Sequence, residues 1–281
     1  MRVGGIHLAK ISLTNMNHAM KKIYALAFLF LGMLTVRAQD DAAELAKKLS
    51  NPIASLISVP FQNNSDYGIG DLNGSRNTMN FQPVIPVSLN ENWNLINRLI
   101  LPVVTQYNIT GPGEKQNGLS DAVVSSFFSP KNSKNGLTWG VGPALLLPVG
   151  TDDYLTTKKF GVGPTAVALK QSNGWTYGAL VNQIWSVAGS SDRPDVSQMF
   201  LQPFITYNWK SGAGLGGNME MTQDWQNSNT TLWLNPTISG VTSLGGQKVS
   251  IVVGPRFNLA APSGTKADWG WRAVLIFLFP K

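Results

Sequence analysis

Glu220 and Asp224 lie four residues apart in "NMEMTQDW", a segment that alternates apolar and polar residues. At period two, that spacing puts both carboxylates on one face of a strand. Paired carboxylates can move protons or hold a cation. In other segments the same alternation turns Arg98, Arg256 and Arg272 to the matching face. The five charges therefore also fit a salt-bridge network inside a barrel. The pattern favours that second reading, in which all five face a lumen and set its selectivity. It assigns no catalytic, cofactor-binding or metal-binding residue.

Other chemistry is scarce. His7 and His18 are the two histidines, and there is no cysteine. From Met20 the chain runs "MKKIYALAFLFLGMLTVRAQD", with Lys21 and Lys22 ahead of an apolar run from Ile23 to Val36. Val36 and Ala38 occupy the −3 and −1 positions of a small-residue cleavage site. The expectation is a signal peptide over 20–38, with residues 1–19 an extension from a start placed too early. Cleavage before Gln39 would remove both histidines. That excludes Ser–His and Cys–His nucleophiles, His- or Cys-bound zinc and disulfides. It would also remove Arg2, Lys10, Lys21, Lys22 and Arg37, turning the full chain's +7 into 17 basic against 15 acidic residues. A net charge of about +2 gives nucleic acid no basis for binding.

Three motifs carry less than they suggest. "GAGLGG" at 212–217 matches a dinucleotide loop, but a period-two segment follows it where a helix is required. "TDD" at 151–153 is an acidic loop cluster. Asn73-Gly74-Ser75 and Asn108-Ile109-Thr110 match glycosylation sequons by pattern alone.

Past residue 50 the hydrophobic period is two throughout. In "KVSIVVGPRFNLA", Val249, Ile251, Val253, Pro255, Phe257 and Leu259 share a face, opposite Ser250, Val252, Gly254, Arg256 and Asn258. In "WGWRAVLIFLF", Trp269, Trp271, Ala273, Leu275, Phe277 and Phe279 oppose Gly270 and Arg272. The pattern yields twelve segments: 52–63, 76–89, 92–107, 119–129, 136–149, 159–170, 174–187, 196–209, 214–225, 230–243, 247–260 and 268–279. Each can span a bilayer as a tilted strand, which takes about 9–11 residues. Their connections alternate between short turns and mostly longer polar loops, the rim asymmetry of an outer-membrane barrel. Trp93, Trp139, Trp175 and Trp209 fall beside the short turns, and Trp185, Trp225, Trp269 and Trp271 towards the longer loops. Two such belts fit the girdles at the edges of a membrane. The apolar face is nearly unbroken and only 13% of residues are charged, which disfavours a water-facing exterior.

The expected fold is thus all-β: a transmembrane antiparallel barrel of about twelve strands over 51–281, with short periplasmic turns. A periplasmic lead-in over 39–50 ("DDAAELAKKLS") has helical character. Six strand segments contain proline: Pro83, Pro143, Pro164, Pro203, Pro236 and Pro255, each on the apolar face after an inward Gln, Gly or Asn. A missing N–H leaves a neighbouring carbonyl unpaired, so these prolines are expected near the interfaces, at bulges or strand ends.

"NPIASLISVPFQNNSDYGIG", "KKFGVGPTAVALK", "WTYGALVNQIWSVAG", "RPDVSQMFLQPFITY" and the closing "WRAVLIFLFPK" resemble a family of bacterial outer-membrane barrels. Its members are labelled MetA-pathway phenol-degradation proteins or simply "transporter", and are often misnamed neuromedin U. The resemblance runs in order from about residue 45 to 281. It implies a Gram-negative outer-membrane location and passive transport of small, hydrophobic or aromatic molecules. The alternatives are a non-conducting structural or surface-recognition barrel, and an outer-membrane lipid-modifying enzyme. The expected partners are outer-membrane lipid and lipopolysaccharide, the barrel-assembly machinery and a small-molecule solute. No cofactor is expected.

Overall fold

Ladder bonds between consecutive alternating segments close this chain into a single antiparallel barrel. The structure is a computed structural model that describes residues 41–132 and 135–280; the expected signal peptide and upstream extension lie outside the described residues. The strands are β1 (Ile57–Ile69), β2 (Gly74–Phe81), β3 (Val84–Ser88), β4 (Trp93–Tyr107), β5 (Lys115–Leu119), β6 (Ala122–Pro130) and β7 (Leu137–Leu147). They continue as β8 (Lys159–Ser172), β9 (Trp175–Gly189), β10 (Ser197–Asn208), β11 (Ala213–Asp224), β12 (Asn229–Leu244), β13 (Gln247–Ala260) and β14 (Trp269–Phe279). Gln82–Pro83 interrupts one spanning stave between β2 and β3, and Ser120–Asp121 another between β5 and β6. Fourteen strands therefore make twelve staves. Pairing of β14 with β1, from Ile57 opposite Phe279 to Tyr67 opposite Trp269, removes the free edges.

Each expected span meets one stave, and the first is the most displaced. The pattern places it at 52–63, whereas β1 runs from Ile57 to Ile69. Asn63, Asn64, Ser65 and Asp66 are polar on both faces, which hides the alternation, yet the ladder to β2 continues through them to Tyr67. The stretch expected as a long polar loop, "NSDYGIGDLNGSRN", is thus mostly hairpin, with only residues 70–73 outside the strands.

The face assignment follows the alternation. Ile251, Val253, Phe257, Leu259, Trp269, Trp271 and Phe279 are exposed on the outside, while Ser250, Arg256, Asn258 and Arg272 are buried inside. Trp93 packs edge-on against Trp139 at one rim (5.9 Å between ring centroids). Tyr67 stacks on Trp269 at the other (4.6 Å). An exterior of exposed aromatic and aliphatic side chains, banded by aromatics, is the surface of an outer-membrane barrel.

Residues 41–49 form a helix at the short-turn mouth. Leu45 and Leu49 share one helical face, and both pack with Leu56, Leu278 and Ile276 of the wall. The wall amide of Gln171 donates to the Lys47 carbonyl (2.8 Å), and that of Asn208 to the Ser50 hydroxyl (2.7 Å). A side chain at Gly212 would collide with Ala42, so the turn at 209–212 must present glycine to the helix. Beyond the helix Ile53 enters the barrel and packs against Ile96, Phe127, Val167, Leu169 and Leu180.

Pro83 lies in the break between β2 and β3, as expected of a strand end, whereas Pro143, Pro164, Pro203, Pro236 and Pro255 lie mid-strand. Pro143 pairs with Pro164 across β7 and β8, and each faces a gap in its other ladder. The register of those gaps puts Pro143 opposite Ser126, Pro164 opposite Gln183 and Pro255 opposite Pro236. A Cβ on the preceding Gly142, Gly163 or Gly254 would fall on the carbonyl oxygens of those same three partners. The carbonyl that lost its N–H donor therefore leans to the lumen side, over a glycine Cα. That placement keeps it out of lipid and accounts for glycine before proline.

Candidate lumen site

Alternation carried through β1 brings a new acid into the lumen. Gln62, Asn64 and Asp66 share the inner face, and closure of the barrel sets them beside β14. Asp66 Oδ1 accepts from Arg256 Nε at 2.8 Å. Arg272 bonds Glu220 Oε1 at 2.9 Å and Oε2 at 3.0 Å, a two-pronged geometry suited to a guanidinium and a carboxylate. Arg256 Nη1 lies 3.7 Å from Glu220 Oε2, which joins the two pairs into one cluster. Neutral groups complete it. Asn64 accepts from Arg272 Nε (2.8 Å), Asn235 from Arg256 (3.4 Å), and Gln202 donates to Glu220 (3.3 Å). Trp233, the tryptophan outside both belts, lies under the Arg256 guanidinium at 4.2 Å.

Of the residues expected in the lumen, Arg256, Arg272 and Glu220 come together. Asp224 does not join them. It caps the turn after β11, accepting from the backbone N–H of Gln226 (2.9 Å) and Asn227 (3.2 Å) and from the Asn227 amide (2.7 Å). The acid–base pair of Glu220 and Asp224 is therefore not assembled. Arg98 is inward but separate, on the wall of a cavity of about 260 Å³ shared with Glu220. The sequence pattern marks neither Asp66 nor Trp233; the signal for Asp66 is an alternation that continues past residue 63 through Asn64 to Asp66.

At the longer-loop rim Asp121, in the break between β5 and β6, pins the loop at 148–158. It accepts from Thr156 Oγ1, Thr157 Oγ1 and Thr157 N, each at 2.6 Å, and from Gly150 N at 3.2 Å. Within the "TDD" cluster, Asp153 pairs with Lys158 at 2.6 Å and lies 3.6 Å from Arg193. The hydrogen bond and charge of Lys158 hold the Asp153 carboxyl below the usual carboxylate range. Lys159 does the same for Asp195, at 2.9 Å, with a further hydrogen bond from Ser186. Among the described residues no group of three or more His, Cys, Asp or Glu side chains converges as metal ligands do.

A closed antiparallel barrel with a lipid-compatible exterior, an ion-paired lumen and a helix in its short-turn mouth is an outer-membrane β-barrel. No family model and no curated relative matches the chain. Among solved structures it is similar to the COG4313 outer membrane channel from Pseudomonas putida F1, with a TM-score of 0.61 at 14% identity. That match covers 80% of this chain and 94% of the other. The β domain of the Bordetella autotransporter Brka aligns at TM-score 0.44 and 11% identity, over 80% of this chain and all of that one. A Pseudomonas aeruginosa FadL homologue aligns at 0.39 and 9%, over 80% and 89%.

Proposed function

We propose that the protein is a channel for passive uptake of small, hydrophobic or aromatic molecules across the outer membrane, with no enzymatic activity of its own. The observation that carries this reading is the cavity of about 260 Å³ inside the barrel, whose lining combines apolar side chains such as Leu180, Ile184 and Phe200 with amides such as Gln62, Asn80 and Asn182. A lumen built only for structural packing has no need of such a space. The similarity to the Pseudomonas putida outer membrane channel and the resemblance to MetA-pathway phenol-degradation proteins agree with a channel, and the latter suggests aromatic solutes. The two Glu220 contacts to Arg272 leave that carboxylate no freedom to act as a base, which weighs against a lipid-modifying enzyme.

One observation favours a second reading, a non-conducting barrel: the helix at 41–49 and Ile53 fill the short-turn mouth. Liposome flux separates the two. Refolded protein should raise the entry of small aromatic solutes above that into protein-free liposomes, and by a larger factor than it raises the entry of a pentose. Flux at that baseline, from protein with strand-rich circular dichroism and heat-modifiable gel migration, would refute the channel reading. Turnover of phospholipid by the pure protein would reinstate the enzyme.

A further inference from the structure

Arg98 differs from every other arginine on the inner wall. Arg256 and Arg272 are held by Asp66 and Glu220, and Arg76, on the same face as Asp66, donates to Gln106 at 2.9 Å. Among the described residues Arg98 has no hydrogen-bond or ion-pair partner, and none of its nitrogens is sealed from solvent without one. Its ladder neighbours are Val84 on one side and Ser125 on the other, neither of them acidic. A guanidinium carries five N–H donors and does not lose its charge, so an open, unpaired one inside a protein is a site for an anion.

The surroundings define that anion further. Arg98 borders two cavities. One is the 260 Å³ space, and the other, of about 140 Å³, lies between the wall and the segment that follows the helix. On one side of the larger space Ile100, Val123, Leu146, Leu180, Ile184 and Phe200 of β4 to β10 make a mainly apolar wall, interrupted by Asn182 and Gln198. Its opposite wall carries Gln62, Asn80 and Gln82. Arg98 and Glu220 are the charged residues that line it, and Glu220 is already neutralised by Arg272 and Arg256. Arg76, Arg98, Arg256 and Arg272 exceed Asp66 and Glu220 by two positive charges, so the local field favours anions. The volume is just below the ~300–1,000 Å³ typical of drug-sized pockets, which limits the occupant to a small body.

We infer that Arg98 and this apolar wall form a binding site for a small organic acid. The carboxylate sits on the guanidinium, and the hydrocarbon or aryl body lies against Leu180, Ile184 and Phe200. The inference rests on the proposed entry of small solutes into the lumen and names their class. Passage from the larger cavity to the smaller one would be past Arg98, which makes this arginine the point of selection.

Binding can be measured apart from flux. Titration calorimetry of the refolded full chain in detergent micelles, with sodium benzoate, benzyl alcohol and sodium acetate as probes, should give saturable binding of benzoate. Benzyl alcohol lacks the charge and acetate the body, so both should bind more weakly. Arg98→Gln should weaken benzoate at least tenfold and leave benzyl alcohol unchanged, and Arg98→Lys should restore part of the loss. Ser125→Glu, which sets a carboxylate opposite Arg98, should abolish benzoate binding even if Arg98→Gln fails to fold. Benzoate bound equally by wild type and either loss variant would overturn the site, as would folded wild type with no saturable benzoate binding. Failure of liposome flux with benzoate binding intact would sink the channel reading and spare the site.

Discussion

The two halves of the lumen solve the same problem in opposite ways. Around β11 to β14 and β1 the interior is held by charge: Asp66, Glu220, Arg256 and Arg272 form one cluster, braced by Asn64, Asn235 and Gln202. From β4 to β9 it is held by hydrocarbon, with Ile96, Phe127, Val167, Leu169 and Leu180 packed beneath Ile53. The first half is open to substitution only in matched pairs, because a buried charge without its partner is costly. The second behaves as an ordinary core and responds to volume. The cavity lies where the two halves meet, and its lining draws on both.

The largest expected effect breaks the charged half. Arg256→Ala leaves the Asp66 carboxylate buried without its cation, at a cost of about 3–5 kcal/mol in urea unfolding. Combining Arg256→Met with Asp66→Leu should recover most of that loss; a double variant as unstable as the single one would mean that the pair is not what holds this half. Next comes the face rule itself. Phe257, adjacent to Arg256 in sequence, points outward and is 45% exposed. Phe257→Arg should cost up to about 2–4 kcal/mol if it meets the bilayer midplane. Equal tolerance of charge at 256 and 257 would reverse the register.

A smaller effect tests the apolar half. Ile96→Val removes one methylene from a side chain with no exposure, for a loss of about 0.5–1.5 kcal/mol. That loss, read by urea unfolding, should not change with salt, and the defect of the buried Arg256→Ala variant should change little.

The smallest effect lies at the rim. Asp195 is held below its ordinary range by Lys159, so its stabilising contribution is complete above the unfolded pKa, about 3.9, and fades as pH falls through the lower folded value. Asp195→Asn should slightly lower the melting temperature at pH 7 and match the parent in strong acid. A difference between them that grows as the pH falls would have the wrong sign.

Much of this architecture is legible in the chain. The alternation places the twelve staves, the turns at 89–92, 173–174 and 209–212, and the inward arginines. It does not reveal the contents of the interior, for three physical reasons. Asp66 and Arg256 are 190 residues apart, and only closure of β1 on β14 makes them neighbours. Ile96 and Phe127 face inward within runs that are apolar on both faces, "WNLINRLILPVV" and "AVVSSFFSP", so their alternation carries no contrast. Asp224 sits at the last position of β11, where the strand's inner face gives way to a turn, and the turn takes its carboxylate. The prolines illustrate the same limit, since the carbonyl that each one orphans belongs to a neighbouring strand.

Planar-bilayer recording of the refolded protein tests the central claim most directly. The account predicts discrete single-channel steps that grow when residues 41–49 are deleted, because the helix narrows the short-turn mouth. Barrels that insert and fold yet stay silent with and without the helix would contradict it.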